Sequence, residues 1–507
     1  MRISPLPELR CRNSGQHFKV LDSPMNALSN PDMSGLAADY THYDGLGLAK
    51  LVATGQISPL ELLHAVRQRA EALHPKLNAF CQFFFERAES QIHAGLSAGP
   101  FCGVPFALKD LGLYLAGTVT SDGSRIWSRE SASIDSTLSE RYRRAGLVIF
   151  GKTHCPELGL TVTAESALYG KTHNPWNAER IAGGSSGGAA AAVASRILPM
   201  AHASDGGGSI RVPASCCGVF GFKPTRGRVP LGPSHFEGWN GCTHHHAITI
   251  SVRDSAALLD STGGAELGSP FFSPRPERPF LEEVNADPGH LRIALLAAAP
   301  SEVPVDPECT KAVVAAARLC ESLGHHVEET SWPAEMAILR DSFLTVVQVS
   351  IARRLEEGAA ILRRPVQQDD VEAVTWAIMQ AGMHVPAVVY SRAIQDLHNV
   401  GLAFARFMQR FDLILCPTLA KPPIPLGVLA LAREPQVWFR EFAEFCPFTS
   451  FANGTGQPSM SVPLHWASDG LPVGTMFTGR FGEDVTLFRL AGQLERAHPW
   501  AARQPGM

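Results

Sequence analysis

GGSSGGAAAAVASRILPMAHASDGGGSIRVP, residues 183–213, holds two serine–glycine clusters separated by a helix former and a short apolar run. The alanine-rich 189–195 (AAAAVAS) favours helix, so GGSSGG at 183–188 reads as a loop that opens one. Glycines there let the backbone approach closely, and the free N–H groups of a helix start can hold an anionic oxygen. Residues 197–203 read as a buried strand leading into the second cluster, Asp205-Gly206-Gly207-Gly208-Ser209-Ile210-Arg211. Three glycines ahead of a serine present consecutive N–H groups without side-chain obstruction, which is what an oxyanion hole requires. Ser209 is therefore the candidate nucleophile, with Gly206, Gly207 and Gly208 as oxyanion-hole candidates.

Outward from this stretch, 101–108 (FCGVPFAL), 147–150 (LVIF), 219–222, 291–297 (LRIALLA), 411–418 (FDLILCPT) and 459–464 (SMSVPL) are apolar runs of strand length. Helical patterns alternate with them. Ser58-Pro59 starts a helix through Leu62, Val66 and Ala70, and further helices are expected at 307–323 and 484–497. The expected fold is α/β: a large mixed, mostly parallel sheet covered by helices on both faces, in one domain over 41–507. Residues 331–400 read as a helical insertion whose large side chains, among them Trp332, Phe343 and Trp376, either fill helix cores or face a substrate. Residues 1–40 read as a polar, disordered extension.

Lys109 ends the apolar run 103–108. Desolvation there would lower its pKa and supply a neutral amine able to accept a proton. The plainer reading is an ion pair with a carboxylate such as Asp110. Gly184-Ser185-Ser186-Gly187-Gly188 also satisfies the G-x-S-x-G elbow of α/β-hydrolases, but that fold leaves Lys109 and the second loop without a use. His244-His245-His246 invites a metal, although adjacent residues rarely converge on one ion. Cys216 and Cys217 read as packing residues.

Composition narrows the partners. Over 507 residues, 44 Lys and Arg against 48 Asp and Glu give a net charge of −4, with no basic field for nucleic acid or an anionic membrane. Apolar residues make up 45% and charged residues 18%, as in a folded globular protein. Eleven cysteines without paired spacing suggest a reducing compartment, and with no signal-like apolar segment the expectation is a cytoplasmic protein that needs no cofactor or metal.

Lys109, GGSSGG at 183–188 and DGGGSIRVPASCCGVFGFKPTRGRVP at 205–230 together resemble the amidase signature family. The likeness extends to Asp44–Phe80, FDLILCPT, NGTGQPSMSVPL (453–464) and GLPVG (470–474). It implies the amidase signature fold and a Ser–cis-Ser–Lys triad, with Ser209 as nucleophile, Ser185 as the bridging serine in a cis peptide after Gly184, and Lys109 as base. It also implies an oxyanion hole from the N–H groups of Gly206, Gly207, Gly208 and Ser209. Gly184, Ser186, His245 and His246 are the substrate-binding candidates, with Ser186 read as hydrogen-bonding its loop rather than doing chemistry. The His245-His246 stretch departs from the Gly-Pro of many relatives.

Within the family, 362–382 (LRRPVQQDDVEAVTWAIMQAG) and 498–505 (HPWAARQP) resemble enzymes that open cyclic amides of nylon oligomers. The implied reaction is hydrolysis of small uncharged amides, linear, aryl or cyclic, through an acyl-enzyme in a homodimer. Carbamate or ester hydrolysis on the same site is one alternative. The A subunit of a glutamine-dependent tRNA amidotransferase is another.

Overall fold

A computed structural model describes residues 39–300, 303–333 and 336–506, so the extension expected over 1–40 lies almost wholly outside the described residues. The chain enters through α1 (Gly45–Ala53), capped by Asp44, and α2 (Pro59–Leu77). Ser58 and Glu61 form a reciprocal capping box at the start of α2, with Pro59 in its first turn, and left-handed Asn78 (φ 49°) ends it. Its apolar face buries Leu62, Leu63, Val66 and Ala70.

Two sheets form the centre. The smaller has the order β1 (Phe80–Phe83), β3 (Val148–Thr153), β2 (Pro105–Lys109). The larger has eight strands: β4 (Met200–Asp205), β5 (Phe220–Lys223), β6 (His244–Thr249), β7 (Arg292–Leu295), β8 (His326–Glu329), β9 (Leu413–Pro417), β10 (Ser459–Trp466) and β11 (Pro472–Gly479). Their order is β8-β7-β9-β11-β10-β5-β6-β4. Strand β2 runs beside β4, where the backbone N–H of Lys109 donates to Nδ1 of His202 and a side chain takes the place of a ladder carbonyl.

The large sheet is mixed, as expected, but it is not mostly parallel. Only β7 pairs in parallel, with β8 and β9; the five pairings from β9 to β4 are antiparallel. The β10–β11 hairpin turns at Asp469-Gly470, a connection too short for a crossover, so these strands must be antiparallel. The segment through α6 (Pro307–Ser322) supplies the crossover between parallel β7 and β8, and the long helical segment between β8 and β9 brings the chain back to the other side of β7 in the same direction.

Helices pack around the sheets. On the large sheet, α4 (Arg211–Cys217) lies on β5, β10 and β11, α5 (Val252–Thr262) on β6, α6 on β9 and β11, and α10 (Asp484–Ala497) on β10 and β11. Helix α3 (Gly187–Ala194) packs on β2, β3, β4 and β6; every residue in it is buried, and its alanines let backbones approach closely. The segment expected to be helical over 331–400 forms α7 (Met336–Leu362), α8 (Ala373–Met383) and α9 (Ala387–Phe407). These pack on one another and build apolar clusters with Ile126, Trp127, Leu158, Leu429 and Trp438, and with Phe448 and Phe451. Among the described residues, no helix is long and apolar enough to cross a membrane.

Candidate active site

The end of β2, the loop before α3 and the loop after β4 meet at one place. Lys109 is the last residue of β2 and is fully buried. Its Nζ lies 2.7 Å from Ser185 Oγ and 3.0 Å from Ser204 Oγ. It does not pair with Asp110. That carboxylate accepts from the N–H and hydroxyl of Ser121 and faces Lys152 Nζ at 3.8 Å. Burial lowers the Lys109 pKa from the usual 10.5 to about 8, only partly offset by more distant groups that include Asp205 and Asp122. Lys109 is therefore a buried amine whose close partners are hydroxyls.

Ser185 follows a cis peptide bond after Gly184. Its position depends on Gly159, whose φ is +67° and where a Cβ would lie 3.1 Å from Ser185 Oγ and 2.6 Å from Leu111. Ser186 N–H donates to the Ser209 carbonyl at 3.3 Å, which ties the two serine loops together. Both Ser185 and Ser209 face a cavity of about 420 Å³, and Ser209 Oγ has no hydrogen-bond partner among the described residues.

Asp205 organises the glycine loop. It accepts from the N–H of Gly208 at 2.7 Å and of Ile210 at 3.0 Å, from Asn453 Nδ2 at 2.9 Å, and from two nitrogens of Arg211 at 2.9 and 3.0 Å. Arg211 and Asp205 are both fully buried, and Arg211 also donates to Thr449 O and Asn453 Oδ1. Burial alone would raise the Asp205 pKa; the adjacent guanidinium outweighs it and holds the carboxyl below the usual range. One expectation is corrected here. Gly208 donates its N–H to Asp205, so it has none left for an oxyanion, whereas Gly206, Gly207 and Ser209 have unengaged N–H groups among the described residues. What Gly208 contributes is its φ of +140° and its lack of a Cβ, which would lie 2.4 Å from Thr449 Oγ1.

Three of the four substrate-binding candidates lie away from the cavity. Gly184 packs on the backbone of Thr163, where a Cβ would approach to 2.4 Å. Ser186 is buried and donates to the Ser204 carbonyl at 3.1 Å, which fixes the loop. His246 sits edge-on to Phe222 with Nε2 2.8 Å from Ser255 Oγ, whereas His245 lines the cavity. Strand alternation is the reason: neighbours on β6 project to opposite faces, and this also prevents the three histidines from converging on one ion.

Sequence reasoning left most of the wall unassigned. Ser204 was missed, although its place just before Asp205 on the same strand was a usable signal. Trp239 covers Gly206, where a Cβ would meet its ring at 2.7 Å, and Trp239 packs edge-on against Phe343 of α7. Tyr114, His235, Arg353, Arg354 and Tyr390 complete the far side. Arg354 lies over the Trp127 ring at 4.2 Å and bonds Asp122 at 2.6 Å and Glu357 at 2.7 Å, so its charge is matched.

The chain matches the Amidase family model over residues 61–488. It is 37% identical over 476 residues to 6-aminohexanoate-cyclic-dimer hydrolase of Paenarthrobacter ureafaciens, covering 91% of this chain and 96% of that one. A solved structure of 6-aminohexanoate cyclic dimer hydrolase complexed with substrate superposes with a TM-score of 0.86 at 35% identity, over 92% of this chain and 99% of the other. A bacterial aryl acylamidase of the amidase signature enzymes superposes with a TM-score of 0.82 at 26% identity, over 91% and 99%.

Proposed function

The chain belongs to the Amidase family of amidase signature enzymes and is an amide hydrolase; from that premise we propose that Ser209, Ser185 and Lys109 act as nucleophile, proton bridge and base. The observation that carries this reading is the buried Lys109 amine, 2.7 Å from Ser185 Oγ with no carboxylate paired to it among the described residues. Neutral Lys109 takes the Ser185 hydroxyl proton as Ser185 takes that of Ser209, and Ser209 Oγ adds to the amide carbonyl carbon. The carbonyl oxygen becomes an oxyanion among the N–H groups of Gly206, Gly207 and Ser209. Loss of one such donor typically costs about 2.7–4 kcal/mol of transition-state stabilisation. The proton returns along the same path to the leaving nitrogen, the C–N bond breaks, and an ester to Ser209 remains. Water then attacks that ester, giving its proton to Lys109 through Ser185; the bond from the carbonyl carbon to Ser209 Oγ breaks, the proton returns through Ser185 to Ser209 Oγ, and the acid departs.

The cavity indicates the substrate class. About 420 Å³ suits a small organic amide, cyclic or linear; the apolar Trp239, Leu231 and Ile351 share its wall with Arg354, paired with Asp122 and Glu357, and with Glu237, which accepts from the Gly241 N–H. This mostly apolar wall favours a neutral amide as the substrate. Kinetics on linear, cyclic and aryl amides, carbamates and esters test this. Wild type should turn over amides as an isolated chain, and Lys109→Met and Ser209→Ala should each lose at least about 1,000-fold in kcat. Turnover of carbamates or esters alone, or near-wild-type activity in Lys109→Met, contradicts the proposal.

A further inference from the structure

His202 and His245 play no part in the proton path, yet they form a buried pair, His245 in the cavity wall and His202 behind it. Their rings stack with centroids 5.1 Å apart and planes inclined by 23°. In the β4–β6 register His245 lies opposite Ser204 and His202 opposite Ala247, so both rings project to the face that carries Ser204. The Lys109 backbone N–H lies 3.0 Å from His202 Nδ1, and an amide nitrogen can only donate, so Nδ1 accepts. The one N–H of a neutral His202 is therefore on Nε2, and it donates across 3.0 Å to Nδ1 of His245. That leaves the His245 proton on Nε2. Burial keeps both rings neutral: it lowers the His202 pKa well below the usual 6.5 and that of His245 to about 3. Nε2 of His245 has no hydrogen-bond partner among the described residues and, unlike both ring nitrogens of His244, is not sealed from the cavity that His245 lines.

We propose that the Lys109–His202–His245 chain fixes a neutral N–H donor in the cavity wall that binds a second carbonyl of the substrate. It thereby selects amides carrying a further neutral acceptor over plain alkyl amides. The inference rests on the amidase reading above. The scissile carbonyl already has the glycine-loop donors, so this N–H is left for another oxygen. Because Nε2 carries the proton it cannot accept, and a donor-only group such as an ammonium is not its partner. A buried donor left unpaired discriminates strongly against ligands that cannot satisfy it.

The test compares primary amides of equal chain length, with and without an internal amide replacing two methylenes, its position stepped along the chain. Wild type should favour one internal position. His245→Leu should lose about tenfold in kcat/KM on that substrate, mainly through KM, and less than about threefold on the plain amide. His245→Gln, which can still accept from His202 and donate, should recover most of the loss. Equal losses on both substrates, or none on either, overturn the proposal. Should the leucine variant not fold, ring ¹⁵N spectra decide: His245 should carry its proton on Nε2, and that nitrogen should shift when the diamide binds Ser209→Ala. A proton on Nδ1, or no shift, overturns it. If wild type hydrolyses no amide at all, the amidase reading fails, while the tautomer measurement still judges the histidine chain separately.

Discussion

Raising the pH through the Lys109 titration should switch the reaction on. The amine must be neutral to accept the Ser185 proton, and burial places its pKa at about 8. The neutral fraction is then about one tenth at pH 7, one half at pH 8 and nine tenths at pH 9, following from one decade per pH unit. For a neutral substrate, kcat/KM should rise about tenfold between pH 7 and pH 9 and then level. A second perturbation tests whether this limb belongs to Lys109. Ser204 Oγ lies 3.0 Å from Nζ, and Ser204→Ala removes a partner that the ammonium values more than the amine does. With charged hydrogen bonds worth about 1 kcal/mol more than neutral ones, the limb should move down by about 0.7 of a pH unit. The assay is amine release from a non-ionising amide over pH 6–9.5, with stability checked at each end. A flat profile, a rate that falls with pH, or a limb unmoved or raised in Ser204→Ala would refute the reasoning.

Two further outcomes follow from the loops that hold the serines. Asp205→Ala leaves the Arg211 guanidinium buried without its carboxylate and frees the Gly208 N–H, so denaturant unfolding should report a loss of about 3–5 kcal/mol; a loss below 1 kcal/mol would mean the pair does not organise the loop. Gly159→Ala places a methyl 2.6 Å from the end of the Leu111 side chain and 3.1 Å from Ser185 Oγ at a φ of +67°, so Leu111 must move and Ser185 must give by a few tenths of an ångström, and kcat should fall by about tenfold; unchanged kcat would contradict the close approach.

Where apolar runs were continuous and bounded, the strands could be read from sequence within a few residues: LVIF (147–150) overlaps Val148–Thr153, and SMSVPL lies within Ser459–Trp466. Strand β11 was not visible, because Pro472, Gly474 and Gly479 weaken its local signal; Gly474 is there because a Cβ would lie 2.5 Å from Ser461 Oγ. The direction of the strands was misjudged for a related reason, since pairing between Leu413–Pro417 and Pro472–Gly479 is set by tertiary packing and leaves no periodic trace. The two loops with Lys109 were legible because glycine runs beside serine, and a lysine after an apolar run, are unusual patterns with a chemical reading. The use of the Gly208 N–H by Asp205 depends on how the loop closes on a carboxylate three residues back. The difference between His245 and His246 was available in principle from strand alternation, once 244–249 was recognised as a strand. The far wall, from Tyr114 to Tyr390, comes from segments far apart in sequence, and nothing local marks it.

The central claim is that Ser209 carries the acyl group. Intact-protein and peptide mass spectrometry after treatment with a fluorophosphonate measures this directly. The account predicts one adduct, located on Ser209, that is lost in Ser209→Ala and forms far more slowly in Lys109→Met. An adduct on Ser185 or Ser186, or labelling that persists in Ser209→Ala, would contradict it.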